Sequence, residues 1–458
     1  MRSALHAEWS GKRVAVVGLG VSNLALIRFL KDVGAQISGR DQKIPEQMGD
    51  GFEELNSLGI DLVLGPHYLE GLEQYDVVVV SPGVPKRLPQ LEQIKRLGRL
   101  ESEIGLVFRY SKAPIYGITG SSGKTTTTSL VGEMLRASGI PVNVGGNIGT
   151  PLISVIEHLE PNDHVLLELS SFQLEELKQS PKGSLITNIA ENHLDVHLTM
   201  ENYIDAKKKI YRYQGEEDFV VLNFDDPHTR DMAKEAPGRV YYFSLNTAVN
   251  AGAYLDGDKL IYVNGGEKVT FAKLSDLALP GLHNVANFLA ATVLSRELGA
   301  SWEAISHVAS NFTGVSHRLE FVAEVDGVRY YNDSIATTPQ RTLAALQSFS
   351  EPIILIAGGS DKELSFADLA SAIHDRVKHL VLLGATAPKI HQAVLEVGDF
   401  PVEVVDNLEQ AVRAARSLAQ DGDLVLLSPA CASYDQYANF MERGHHFRTL
   451  VHDVNKSQ

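Results

Sequence analysis

The sequence is short of several things, and each shortage closes off a class of protein. It has one cysteine, Cys431, in 458 residues, so no internal disulfide can form and a reducing compartment is expected. No apolar run is long enough to span a bilayer, so membrane insertion is not expected. The opening stretch, MRSALHAEWSGKR, lacks the apolar core of a secretory signal. Positive charge is scarce too: 41 Lys and Arg against 57 Asp and Glu leave a formal net charge of −16. Such an acidic chain is a poor partner for nucleic acid, although local lysines and glycine loops can still hold small anions. Low-complexity tracts are absent. With 44% hydrophobic and 21% charged residues, the chain can build about two to four well-cored domains.

Two glycines are also missing where nucleotide-binding motifs would place them. Residues 114–128 read PIYGITGSSGKTTTT: a short apolar strand, a Gly/Ser loop and the start of a helix. That order aims backbone N–H groups and a helix N-terminus at an anion. The pattern G-x-x-x-x-G-K-[ST] requires glycine where Ile118 stands, and Gly117 comes one place early. The variant loop still offers Lys124 as a point charge and Thr125 as a hydroxyl for Mg²⁺ on the same phosphates. A nucleotide triphosphate site is expected here. Nearer the N-terminus, residues 13–23, RVAVVGLGVSN, give Gly18-x-Gly20-x-x-Asn23, so the third glycine of the dinucleotide fingerprint is absent. Asp41 ends the strand-like AQISGRD about twenty residues on, where a ribose-binding acid is expected. A third strand, residues 75–80, runs into the turn Ser81-Pro82-Gly83. Alone, this module fits NAD, FAD, a UDP-sugar or a purely structural turn.

Further along, HVLLELSS at residues 164–171 puts Glu168 at a strand end near the phosphate loop, where a carboxylate can ligate Mg²⁺. His193 and His197 stand four apart, but the Glu that follows the first His in zinc proteases is missing, and no thiolate accompanies them. A zinc site is therefore not expected, and His193 near Mg²⁺ or substrate is the better reading. In YIDAKKKIY, residues 203–211, a solvated helix face is the plain expectation for Lys208 and Lys209. Asn284 and Asn287, three apart at the start of an apolar helix, could read a base edge, or Asn284 could cap that helix. Cys431 sits in a small-residue turn with no base beside it and reads as packing. The expected fold is α/β in three domains: a Rossmann-like module at 1–103, a central P-loop ATPase-type domain at 104–314, and a Rossmann-like, mainly parallel domain at 315–458.

Taken together, TGSSGKTT, LELSSFQL, GLHNVAN, SHRLE, NDS and LSPACASYDQ, in collinear order over nearly the whole chain, resemble the Mur ligases. The resemblance implies ATP-dependent amide-bond formation in cytoplasmic peptidoglycan precursor synthesis. Its implied substrates are UDP-N-acetylmuramoyl-L-alanine and D-glutamate, and the implied state is a monomer. A sister ligase using another amino acid, or a folylpolyglutamate synthetase, is the nearest alternative. The Asp-Asn-Pro-Arg motif usual in the diaminopimelate- or lysine-adding sister does not occur.

By the same resemblance, ATP would meet Gly117, Thr119, Gly120, Ser121, Ser122, Gly123, Lys124, Thr125, Thr126, Asn284, Asn287, Arg318 and Asp333. The UDP-sugar would meet Val21, Ser22, Ser81, Gly83, Asn147 and His193, and the incoming glutamate Thr337, Lys362, Ser433 and Phe440. Catalysis would rest on Lys124, Glu168, His193 and Lys207. Two Mg²⁺ ions would be served by Thr125, Glu168, His193 and Lys207, the last as a carbamate, which turns a repelling ammonium into an anionic ligand. Ile335, where relatives often carry Lys, and Gln42-Lys43, in place of a Thr-Arg pair, depart from the family pattern. An oxidoreductase is disfavoured by the missing third glycine, and a non-catalytic binding protein by the retained Lys124, Glu168, His193 and Lys207. Hinges near 104 and 315 would let the third domain close over ATP.

Overall fold

Short apolar runs that are hydrophobic at every position build parallel strands covered on both faces. In the computed structural model, which describes residues 2–456 apart from 49, 150, 192, 193, 280, 350, 362 and 363, such runs form the centres of three sheets. The chain divides into two compact units, Met1–Phe312 and Thr313–Gln458.

The first unit carries two sheets. One is fully parallel, in the order β3-β2-β1-β4-β5, from β1 (Arg13–Val17), β2 (Gln36–Asp41), β3 (Asp61–Leu64), β4 (Val77–Val80) and β5 (Leu100–Glu101). The other has nine strands in the order β14-β13-β12-β11-β10-β9-β6-β8-β7. Its parallel part comprises β6 (Ile115–Thr119), β7 (Val142–Gly146), β8 (His164–Glu168), β9 (Gly183–Ile186), β10 (Phe219–Asn223), β11 (Arg239–Ser244) and β12 (Gly252–Asp256). Two antiparallel strands, β13 (Lys259–Asn264) and β14 (Glu267–Lys273), finish its far edge. One apolar cluster runs from Val14, Val16, Leu26 and Leu30 through Leu106 and Val107 to Leu152, Val165 and Leu167. The N-terminal and central sheets thus share a continuous core. Trp9, itself buried, adds a bond from its indole N–H to the Tyr110 hydroxyl at 2.8 Å.

The second unit carries a six-stranded sheet in the order β15-β16-β20-β17-β18-β19. Its strands are β15 (Glu320–Val325), β16 (Val328–Asn332), β17 (Ile353–Gly358), β18 (Val377–Leu383), β19 (Val402–Val405) and β20 (Leu424–Leu427). Only β15 runs antiparallel to its neighbour. No helix among the described residues is long and apolar enough to cross a membrane. Strands β3, β5 and β11 to β15 were not expected from the sequence; β14 mixes apolar with exposed polar residues, a weaker signal than an unbroken apolar run, whereas β13 carries the buried run Leu260-Ile261-Tyr262.

Candidate active site

Parallel α/β sheets gather their ligands at the carboxyl ends of their strands, and the central sheet does so around the loop after β6. Thr119 ends the strand fully buried, and its hydroxyl donates to Leu169 O at 2.7 Å. Gly120 follows with φ +147°, and a Cβ there would stand 1.9 Å from Thr187 Oγ1, so only glycine fits. Gly123, at φ +81°, is the N-cap of the helix Lys124–Ala137. Its missing Cβ leaves room for Asn287, whose Oδ1 would otherwise be 2.3 Å away. The Lys124 ammonium folds back over the loop, donating to Gly120 O at 2.9 Å and Ser121 O at 3.0 Å. Thr125 is buried on the first turn and Thr126 is half-buried. Gly117 lies inside β6, where a Cβ would meet Pro181 at 2.6 Å; it serves strand packing one residue before Ile118.

Glu168 ends β8 beside this loop, paired in register with Ile118 of β6 and with Gly146 of β7. The side chain is 1% exposed. Asn147 Nδ2 donates to its Oε1 at 2.8 Å, while its Oε2 is buried with no hydrogen-bond partner among the described residues. A buried carboxylate oxygen left over in this way fits a cation. Lys207 is equally buried, on the helix Met200–Lys208. Its Nζ donates to Gly120 O at 2.9 Å and Thr119 Oγ1 at 3.2 Å and lies 4.7 Å from the Tyr203 ring centroid. Burial, and then the charge of Lys124, hold its pKa well below the usual lysine range, which favours the neutral amine.

The other lysines of the run are not a solvated face. Lys208 donates to both carboxylate oxygens of Glu235 at 2.8 Å, and Lys209 donates to Glu175 O. His197 is packed rather than ligating: it is 1% exposed, stacks on Phe172 at 5.2 Å and shares a hydrogen bond with Ser171 Oγ at 2.9 Å. Among the described residues no cluster of three His, Cys, Asp or Glu side chains is gathered for a metal. His193 and Lys362 lie outside the described residues. Asn284 is not a helix cap, since Gly281 holds that position ahead of Leu282–Glu297; its Oδ1 accepts from Asn287 Nδ2 at 3.4 Å.

The N-terminal turn is closely built. At Gly18, with φ +83°, a Cβ would meet Ser81 at 2.7 Å, so the two turns expected to hold the UDP-sugar do meet. Val21 opens the helix Val21–Asp32, Ser22 lies on its first turn, and Gly83 is exposed. The Asp41 carboxylate is already engaged: it accepts from Leu19 N at 2.8 Å and Lys43 N at 3.0 Å, clamping the glycine turn.

In the second unit, Arg318 is exposed between His317 and Leu319, whose φ values of +64° and +44° are left-handed. Leu319 N donates to Asp333 Oδ1 at 3.3 Å, and Ser428 Oγ to its Oδ2 at 2.8 Å. Burial pushes the Asp333 carboxyl up to about 7. Thr337 and Phe440 are half-buried and Ser433 is buried. Cys431 is 3% exposed with Sγ 3.1 Å from Thr386 Oγ1, and burial raises its thiol to about 11, as packing requires.

Sequence reasoning passed over Thr187, Asn188 and Tyr203. Thr187 Oγ1 donates to Ser122 O at 2.6 Å, Asn188 bonds Ser122 on both sides, and the Tyr203 hydroxyl lies 2.9 Å from Ser121 Oγ. The one available signal was the polar pair Thr187-Asn188 at the end of an apolar strand.

A phosphate loop, a carboxylate with a spare oxygen and a buried amine at one sheet rim define a nucleotide-dependent enzyme of the P-loop α/β class. The chain belongs to the Mur ligase family. The Mur ligase middle domain matches residues 118–295, the Mur ligase glutamate ligase domain 317–431, and the MurD-like N-terminal domain 12–100. The chain is 47% identical over 444 residues to UDP-N-acetylmuramoylalanine–D-glutamate ligase of Symbiobacterium thermophilum, covering 96% of this chain and 98% of that one. The protein of the same name from Acetivibrio thermocellus is 44% identical over 451 residues, covering 97% of each chain. Among solved structures, UDP-N-acetylmuramate–alanine ligase MurC from Thermotoga maritima matches with a TM-score of 0.56 at 20% identity, over 98% of this chain and 100% of that one; this likeness concerns the fold.

Proposed function

We propose that the chain adds D-glutamate to UDP-N-acetylmuramoyl-L-alanine at the expense of ATP, in the cytoplasm and as a monomer. The names and near full-length identity of its relatives support the amino acid. The observation that carries the chemistry is that Lys124 and Lys207 both bond the phosphate loop at Gly120 O, while Glu168, with a spare buried oxygen, ends the strand paired with the one that leads into that loop.

The loop backbone at its entry into the helix Lys124–Ala137 and Lys124 hold the ATP phosphates, with Asn284, Asn287, Arg318 and Asp333 as further contacts. A terminal carboxylate of the UDP-sugar attacks the γ-phosphorus, ADP leaves, and an acyl phosphate results. The amine of D-glutamate then attacks the acyl carbon, loses a proton and expels inorganic phosphate. Two anions must approach in the first step, and Mg²⁺ at Thr125, Glu168 and His193 would offset their repulsion when bound. Lys207 suits carbamylation because a neutral amine, not an ammonium, combines with CO₂ and releases a proton; the product would carry negative charge to the same place. Val21, Ser22, Ser81, Gly83 and Asn147 are assigned to the UDP-sugar, and Thr337, Lys362, Ser433 and Phe440 to glutamate. Domain boundaries at 1–103, 104–314 and 315–458 accompany this reading.

Phosphate release from ATP, measured with UDP-N-acetylmuramoyl-L-alanine and a panel of amino acids, tests the assignment. Release that depends on D-glutamate is expected; equal release with L-alanine or L-lysine sinks it.

A further inference from the structure

We infer that Asn188, just beyond the end of β9, is the positioning residue that sets the phosphate loop for ATP. The inference rests on the assignment of that loop to ATP. The loop lacks the first glycine of the usual pattern, and within it Lys124 bonds the carbonyls of Gly120 and Ser121. Its conformation is also tied to the segment after β9. Asn188 Oδ1 accepts from Ser122 N at 3.0 Å, and Asn188 Nδ2 donates to Ser122 O at 3.1 Å. One side-chain amide therefore pairs with both backbone groups of one loop residue, as a neighbouring strand would. The Asn188 carbonyl accepts from Ser121 N at 2.9 Å, so two consecutive loop residues are held by one asparagine.

The neighbours complete the seam. Ser121 Oγ donates to Ala190 O at 2.9 Å, and Thr187 Oγ1 donates to Ser122 O. The carbonyls of Gly120 and Ser121 are taken by Lys124, and that of Gly120 also by Lys207. With the N–H groups of Ser121 and Ser122 turned to Asn188, the part of the loop left for an anion is its entry into the helix Lys124–Ala137, where the N-cap Gly123 has no side chain to cap it. Asn188 has no assigned contact with substrate; it acts through Ser122.

Steady-state kinetics of the full chain test this, with KM measured separately for ATP and for the UDP-sugar. Losing two net hydrogen bonds in Asn188→Ala should raise KM for ATP by about tenfold or more, leaving KM for the UDP-sugar and the thermal midpoint near their wild-type values. Asn188→Asp keeps the size and the acceptor for Ser122 N but cannot donate to Ser122 O; its KM for ATP should stay elevated. The inference is overturned by a wild-type KM for ATP in either variant, or by equal rises in both KM values, which would mark a general strut of the fold. Absence of ATP-dependent phosphate release in the wild type would instead overturn the ATP assignment itself.

Discussion

The junction between the N-terminal and central sheets contains an ionisable group in an unfavourable place, and its pH dependence can be worked out. Glu103 opens the helix Glu103–Tyr110, which Ser102 caps by accepting from Gly105 N at 3.0 Å. The carboxyl is 7% exposed, and its Oε1 has no partner among the described residues. Burial raises its pKa from 4.5 to about 7, against the opposing pull of a hydrogen bond from the Ile153 backbone. A raised pKa means that the folded protein holds this proton more tightly than the unfolded chain does. The resulting stabilisation is complete below about pH 4.5 and is lost as pH rises through about 7. At ~1.36 kcal/mol per pH unit the interval amounts to about 3 kcal/mol. Glu103→Gln keeps the shape and removes the ionisation. It should match the wild type within ~1 kcal/mol at about pH 5 and exceed it by about 3 kcal/mol at about pH 8.5. Urea unfolding followed by tryptophan fluorescence suits the measurement, because both tryptophans, Trp9 and Trp302, lie in the unit Met1–Phe312. Parallel stability–pH curves for the two proteins would refute the reasoning.

Two further outcomes concern the site. If Lys207 serves as the proposed carbamate, Lys207→Ala should lower phosphate release by ~100-fold or more, since it removes the anionic group that the carbamate would supply, and added formate or acetate should restore part of it; full activity in the untreated variant would remove Lys207 from the reaction. Gly120→Ala must place a Cβ 1.9 Å from Thr187 Oγ1 at φ +147°, so a loss of about 1–3 kcal/mol in stability and weakened binding of a non-hydrolysable ATP analogue are expected; calorimetry showing wild-type values for both would count against the close approach.

The sequence made the motif-bearing strands legible because each ends in residues whose chemistry is local: glycines that need positive φ, a lysine, a carboxylate. Glu168 could be placed at the rim from the pattern of β8 alone. Its spare oxygen could not, because that depends on Asn147 taking the other one across the strand pair. Lys207 was legible only through family resemblance; three adjacent lysines look like a wet helix face, and tertiary packing alone separates a buried amine from its two paired neighbours. The shared core between the first two sheets was hidden for the same reason. Residues as far apart as Val14 and Leu167 form one cluster, and no window of sequence contains both.

The two missing glycines turn out to have one physical solution. Glycine is used in nucleotide-binding turns because it lets backbone groups approach closely and reach unusual dihedrals. Where the N-terminal turn lacks its third glycine, Asn23 is 2% exposed and its Nδ2 donates to Gly18 O at 2.8 Å and Val17 O at 3.3 Å. Where the phosphate loop lacks its first, Gly117 is displaced into strand packing and Asn188 pairs with Ser122. In both places a side-chain amide, which carries the same donor and acceptor as a peptide group, engages loop backbone beyond what strand pairing provides. At the N-terminal turn the amide belongs to the motif itself, and at the phosphate loop it comes from the segment after β9. A variant motif matched only by its glycines therefore looks defective, although an asparagine, inside the motif at Asn23 or beyond β9 at Asn188, holds the turn through its side-chain amide.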